Sequence, residues 1–254
     1  MEAGAVANSE SGDSVVDRVV RVIAAFPAGV TVLQLSDLAE RAGLPLTTAH
    51  RLVRQLATHG LLETGPGGSV QLGLRLWELV NRNSPTLALR QAAMPFMEDI
   101  QHVLNQNVNL AVLDGWEALF VERLSRRGSV ANRAQIAGRM AVHVSSAGLA
   151  LMSHQAKPVQ AEYLDQFADP AGKVGSDEVR SLLAEAANQG FAELAGVIDP
   201  DTWGIAVPVL DGQKRAVAAI GVVVPLREMR MQALVPALQT AARGIARRLS
   251  EGAG

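Results

Sequence analysis

The sequence predicts an α+β chain of two domains, with a winged helix-turn-helix at the N-terminus joined by a helical linker to a larger antiparallel-sheet domain. Three observations carry that expectation. Residues 35–72, LSDLAERAGLPLTTAHRLVRQLATHGLLETGPGGSVQL, set two short helical patterns around a Gly-Leu-Pro turn and follow them with a glycine-rich hairpin. From residue 108 onward, strand-like runs come in pairs around tight turns, with helical stretches between the pairs, which is the pattern of an antiparallel sheet with inserted helices. A length of 254 residues exceeds the usual size of one domain and can bury two cores.

Residues 1–13 are rich in Gly, Ala, Ser and acids and read as a flexible tail. The DNA-reading pattern occupies 14–73. Its first helix spans 15–26, with Val15, Val19, Val22 and Ile23 on one stripe. Ser36 is the expected N-cap of the second helix and Gly43 its left-handed end. Pro45 suits the first turn of the third helix, where its missing N–H costs nothing. Along that third helix Ala49, Leu52, Val53 and Leu56 share one face. Thr47, Thr48, His50, Arg51 and Arg54 remain free, and they offer hydroxyls, an imidazole and rigid guanidinium forks, the groups that duplex DNA accepts at phosphates and base edges. Residues 61–72 alternate as a small wing around the turn 64–69, and the wing contains no Lys or Arg.

A helical linker is expected over 74–86, interrupted near Asn83, Ser84 and Pro85. A long helix over 87–104 opens the second domain, 87–254, and Pro95 within it predicts a kink or a restart. Strands at 108–113 and 118–124 flank the turn Asp114-Gly115-Trp116. Helices follow at 146–156, 158–167 and 177–189, and strands at 205–210 and 216–224 flank Asp211-Gly212-Gln213.

AERAGLP, TTAHRLV, HGLLE and the continuation QLGLRLWEL resemble the N-terminal domain of IclR-type bacterial transcriptional regulators, and the rest of the chain resembles that family's GAF-like sensor domain. The resemblance implies a ligand-responsive regulator whose binding to operator DNA is modulated by a small organic acid. In that family a small molecule occupies a cavity between sheet and helices, and the stretch His143-Val144-Ser145-Ser146-Ala147-Gly148 coincides with the effector loop. Ser145, Ser146 and Ala147 precede a helical run and would present backbone N–H groups to a carboxylate. Trp203, Gly204, Gly221 and Val223 stand at positions of the family's pocket strands. Glycine and valine where polar side chains are common imply a roomier, more apolar site, suited to an aromatic or bulky acid. Met140 is a further wall candidate, with Arg139 beside it.

Composition narrows the alternatives. Net charge is −2, yet residues 15–85 carry seven arginines against five acids, a small positive excess on the reading head. Useful affinity should therefore come from two heads on a homodimer or homotetramer facing a pseudo-palindromic operator. Cysteine is absent, so disulfides and thiolate metal sites are excluded. No signal segment or membrane span is apparent, and a cytoplasmic location is expected. No cofactor or metal is expected: the five histidines form no His-Glu-x-x-His, and no acid cluster accompanies them. A hydrolase is the enzymatic rival, since His143 lies near Ser145 and Ser146, but the nucleophile elbow requires glycine where Val144 stands. A winged-helix interaction module without specific DNA binding is the other rival.

Overall fold

The computed structural model describes residues 13–82, 84–125, 134–167, 174–228 and 231–252. The expected tail lies outside them apart from Asp13, as does Asn83 at the expected linker break. The chain divides into two compact units, 1–84 and 85–254.

The first unit begins with α1 (Val15–Ala24), capped by a reciprocal box in which the Ser14 hydroxyl accepts from Asp17 N–H and the Asp17 carboxylate accepts from Ser14 N–H. Those Ser14 hydrogen bonds also hold the Asp17 carboxyl below the usual carboxylate range. Val22 is fully buried, with Val19 and Phe26 packed beside it; Val15, expected on the same stripe, is exposed. β1 (Val32–Gln34) leads into α2 (Leu35–Arg41), whose N-cap is Gln34. Ser36 is therefore inside the helix, because β1 ends directly against α2 and leaves no residue between them for a serine cap. Gly43 takes φ +62° as expected and returns the chain to α3 (Leu46–Thr58). Pro45 sits at the N-cap of α3, one position before the expected first turn. The wing is β2 (Leu62–Thr64) and β3 (Ser69–Leu72), and β1 pairs with the far side of β3, giving the sheet order β1-β3-β2. Ala49, Leu52, Val53 and Leu56 of α3 are buried in the head's core or against it. The unit ends with α4 (Leu74–Arg82), none of whose residues is buried. The stretch expected as a linker thus groups mainly with the head.

In the second unit, α5 (Pro85–Leu104) runs unbroken through Pro95, with no restart there. β4 (Asn107–Asp114) and β5 (Glu117–Leu124) form the first hairpin, turning at Gly115 with φ +60°. β6 (Arg139–Ala141) adds an edge strand. α6 (Ser146–Ser153), α7 (Lys157–Asp165) and α8 (Ser176–Gln189) come next, then β7 (Ala192–Ala195), β8 (Thr202–Leu210), β9 (Ala216–Pro225) and α9 (Met231–Glu251). The sheet is antiparallel with order β6-β5-β4-β9-β8-β7.

Both faces of this sheet are covered. One packs against α5 and α9 through Met97, Leu110, Ile205, Ile220, Leu238 and Ile245, all fully or almost fully buried. The other packs against α6, α7 and α8 through Ala111, Phe120, Leu149, Tyr163, Leu183 and Ala219. Strand alternation deals side chains to the two layers in turn. Trp203, Ile205, Val207 and Val209 go to the α5/α9 face, and Gly204 and Ala206 go to the other. Double coverage explains why β4, β8 and β9 read as nearly continuous apolar runs.

Candidate functional site

On the α6 face, where the helix begins above the middle of the sheet, a cavity of about 70 Å³ remains. That volume holds several waters or a compact organic molecule, since one water needs roughly 10–15 Å³ on this measure. Its floor comes from four strands: Phe120 of β5, Asn109 of β4, Gly221 and Val223 of β9, and Gly204 of β8. Its roof is the start of α6, with Val144, Ser145, Ser146 and Ala147. Leu194, Val197, Ile198, Asp199 and Thr202 close one side, and Met140 and Ala134 the other.

The start of α6 is fixed from below. A short 3₁₀ turn, Val142–Val144, precedes the helix, and Ser145 caps it by accepting from Gly148 N–H at 3.2 Å. A Cβ on Gly148 would stand 2.6 Å from Val142 Cα and 2.7 Å from its carbonyl oxygen, so only glycine lets the helix lie on this turn. The N–H groups of Ser146 and Ala147, at the first two helical positions, are among those that an α-helix leaves without internal acceptors. The positive end of the helix dipole accompanies them. Beneath them, a Cβ at Gly204 would meet Ser146 Oγ at 3.0 Å, so the serine hydroxyl occupies the space that a side chain on β8 would fill. Gly221 has a different reason for being bare: a Cβ there would meet the Ile205 carbonyl oxygen at 2.7 Å, a close approach between β8 and β9.

Seven of the eight residues expected around the effector line this one cavity: Met140, Ser145, Ser146, Ala147, Gly204, Gly221 and Val223. Trp203 does not. It is 1 % exposed and packed in the α5/α9 core on the opposite face, because neighbours in a strand point to opposite sides and Gly204 already faces the cavity. Arg139 pairs with Asp114 and, at 3.5 Å, with Glu117 on the surface, and it does not line the cavity. His143 is also accounted for structurally. Its Nδ1 lies 3.5 Å from the Tyr163 hydroxyl and its ring meets Phe167 edge-on at 4.9 Å. Burial pushes the Tyr163 phenol up to about 12, as befits a neutral hydroxyl in this aromatic cluster. The Ser145 hydroxyl oxygen meanwhile accepts from Gly148 N–H at the cap of α6.

Sequence reasoning missed Asn109, Phe120 and the segment carrying Asp199 and Thr202. Asn109 is 5 % exposed between the buried Val108 and Leu110, and a polar residue on the inner parity of a buried strand was the available signal. Asp199 gives no such signal. Its backbone carbonyl accepts from Thr202 N–H at 3.0 Å and Thr202 Oγ1 at 2.9 Å, and this turn turns the side chains of Val197 and Ile198 to the cavity mouth.

In the head, Thr47, His50, Arg51 and Arg54 project from the open face of α3, with Thr48 half-buried at its edge. Among the described residues neither Arg51 nor Arg54 is ion-paired, so both guanidinium groups are available to an external acceptor. No group of three metal-binding side chains occurs among the described residues, and no helix there is long and apolar enough to cross a membrane.

The model of the IclR C-terminal domain of bacterial transcriptional regulators matches residues 84–250, and the IclR helix-turn-helix model matches residues 15–66. The chain belongs to the IclR family. It is similar to the HTH-type transcriptional regulator XynR of Escherichia coli, 25 % identical over 210 residues, covering 81 % of this chain and 83 % of that one. The glycerol operon regulatory protein of Streptomyces coelicolor is 27 % identical over 248 residues, covering 94 % and 95 %. A solved structure of an IclR homolog from Microbacterium hydrocarbonoxydans, complexed with 4-hydroxybenzoate, is 40 % identical with a TM-score of 0.86, covering 94 % of this chain and all of that one. The matched domains and relatives are transcriptional regulators, and this IclR-family chain is a regulator rather than an enzyme.

Gly148→Ala tests how the cavity roof is built. The added methyl must displace α6 or the Val142 turn, and overpacking of this kind costs about 1–3 kcal/mol. Denaturant unfolding should show that loss, whereas unchanged stability would mean that the roof tolerates a side chain at this contact.

Proposed function

We propose that this IclR-family chain reads operator DNA through the open face of α3 and adjusts that binding to a small aromatic acid held in the α6 cavity. The observation that carries the reading is the cavity itself: two helix-start N–H groups above a floor thinned by Gly204 and Gly221, among largely apolar walls. A carboxylate suits the N–H groups and the dipole. A flat ring suits the bare strand backbone, and a chain of bulky aliphatic groups does not. Asn109, buried on the same floor, makes that floor polar at one point. The complex of the Microbacterium homolog with 4-hydroxybenzoate supports a ring acid of this type.

The head supports DNA reading through residue type and exposure, with Arg51 and Arg54 unpaired and Thr47 and His50 beside them. The wing adds little charge, since Glu63 is its one ionisable side chain and Gln71 Nε2 donates to it at 2.7 Å. A single head therefore makes few phosphate contacts, and a second copy is needed for a tight complex. Leu74, Trp77 and Val80 of α4 are 60–65 % exposed and supply an apolar surface for such pairing. The DNA site would then be pseudo-palindromic, and the protein would act in the cytoplasm.

Three outcomes are expected. Arg51→Ala should weaken operator binding, by about 1–3 kcal/mol and mainly at one base pair if the guanidinium forks onto a guanine; folded variant protein with native affinity in a mobility-shift titration would remove α3 from the reading role. Calorimetry should detect 4-hydroxybenzoate binding to the native chain and a loss of at least about tenfold in Gly204→Val, whose side chain enters the space beneath Ser146. Equal binding by that folded variant would place the ligand elsewhere. Light scattering should give a mass at least twice the 26.8 kDa of the chain, and a monomer that binds one half-site tightly at physiological salt would defeat the two-head mechanism.

A further inference from the structure

The alternation of β5 breaks at one place. Leu119 packs with the α5/α9 core, Phe120 with the α6 side, and Val121 with the α5/α9 core again. Continued alternation would turn Glu122 toward the cavity. The register with β4 instead shifts: Leu110 stands opposite Glu122 and Ala111 opposite Phe120, leaving Val121 as the extra residue of a bulge. Past the bulge the parity is inverted, and Leu124 lies on the α5/α9 side.

The inversion turns Glu122 to α5. Arg90 of α5 donates to Glu122 Oε2 twice, from Nε at 2.9 Å and Nη2 at 2.5 Å, while Glu122 Oε1 accepts from Arg123 N–H at 2.9 Å. Glu122 is 4 % exposed. On either side of it the chain touches the cavity. Phe120 is part of the floor, and Arg123 Nη1 donates at 2.7 Å to the carbonyl of Ala134, another cavity wall. A contiguous set of bonds therefore runs from two cavity walls through one buried carboxylate to a helix that begins at Pro85, directly after the head in the chain.

Stability alone is a poor reason for such a pair. Desolvating a carboxylate and a guanidinium costs about as much as their attraction returns, and an apolar pair of similar volume often serves as well. What the pair supplies that an apolar contact lacks is direction, because two N–H groups on one oxygen fix the approach of α5 to β5. We infer that Arg90 and Glu122 are positioning residues that transmit the state of the cavity to α5, and hence to the DNA-reading head. The inference rests on the reading of the cavity as the effector site, and its test includes an arm that needs no effector.

That arm uses Val223→Phe, which fills the cavity from its floor. Hydrogen exchange of the amides of residues 86–94 should change by about fivefold or more when Val223→Phe is made in the native chain, and by less than about twofold when it is made together with Glu122→Gln. The second arm measures operator affinity with and without saturating 4-hydroxybenzoate. Glu122→Gln should bind the acid with native affinity by calorimetry yet lose most of the acid's effect on DNA binding, and Arg90→Lys, which keeps the charge but not the fork, should fall between. A merely structural pair would lower thermal stability and leave the response to cavity filling intact. The same exchange response with and without the pair, or no response in the native chain, overturns the inference. If 4-hydroxybenzoate does not bind at all, the ligand proposal fails and the exchange arm still decides this one. Arg90→Gln, at a partly exposed side chain, carries the comparison if Glu122→Gln does not fold.

Discussion

Coverage of the six-stranded sheet on both faces is the constraint from which the sensing half of this molecule follows. With α5 and α9 on one side and α6 to α8 on the other, every side chain of the central strands must be either apolar or placed for a purpose. The departures from that rule are few and they cluster. Asn109, Gly204 and Gly221 interrupt one face beneath the start of α6, Asn107 and Thr202 are buried polar residues at the starts of β4 and β8, and Glu122 interrupts the other face after the bulge. The α6 cavity lies where side chains of this face are omitted or polar, so it is a property of the strand sequence as much as of the helix above it.

Much of this was legible in the sequence because it depends on local pattern. The helix-turn-helix was readable from Gly43 and the spacing of Ala49, Leu52, Val53 and Leu56, and both long hairpins were readable from strand-like apolar runs around Gly115 and Gly212. What was missed depends on distant pairing. β1 is three residues long and exists because Leu33 meets Val70 across the head sheet, which no local window reveals. β6 and β7 are edge strands of three and four residues for the same reason. One error was avoidable. Trp203 and Gly204 are neighbours in a strand and cannot both face one cavity, so parity alone separates them. α9 carries Leu234, Val235, Leu238, Ala241, Ala242 and Ile245 at helical spacing, but Pro236 and Gly244 interrupt the pattern that would have announced it.

The two interruptions in α9 have different physical meanings. Pro236 lies in the second turn of α9, where its missing N–H forfeits one helical hydrogen bond. Gly244 lies deep in the helix and would be costly there without compensation, yet a Cβ at that position would overlap the Phe96 ring of α5. The glycine lets α9 approach closely to α5, the helix that also carries Arg90. The same trade recurs at Gly148 and Gly221: backbone entropy is given up so that two backbones can lie against each other.

Gly204 is the exception among these glycines. Its absent Cβ would press only on a rotatable serine hydroxyl, at 3.0 Å, and would meet backbone, the Leu194 carbonyl oxygen, at an ordinary contact distance of 3.9 Å, so the fold has little need of glycine at this position. An alanine, serine or valine could arise there by one mutation, with Ser146 turning aside and the strands undisturbed, and the cavity would change its volume or polarity while the sheet, the roof and the recognition helix stayed as they are. A lineage built on this frame can therefore reshape the cavity through single substitutions at an unconstrained site, without first losing stability and then recovering it.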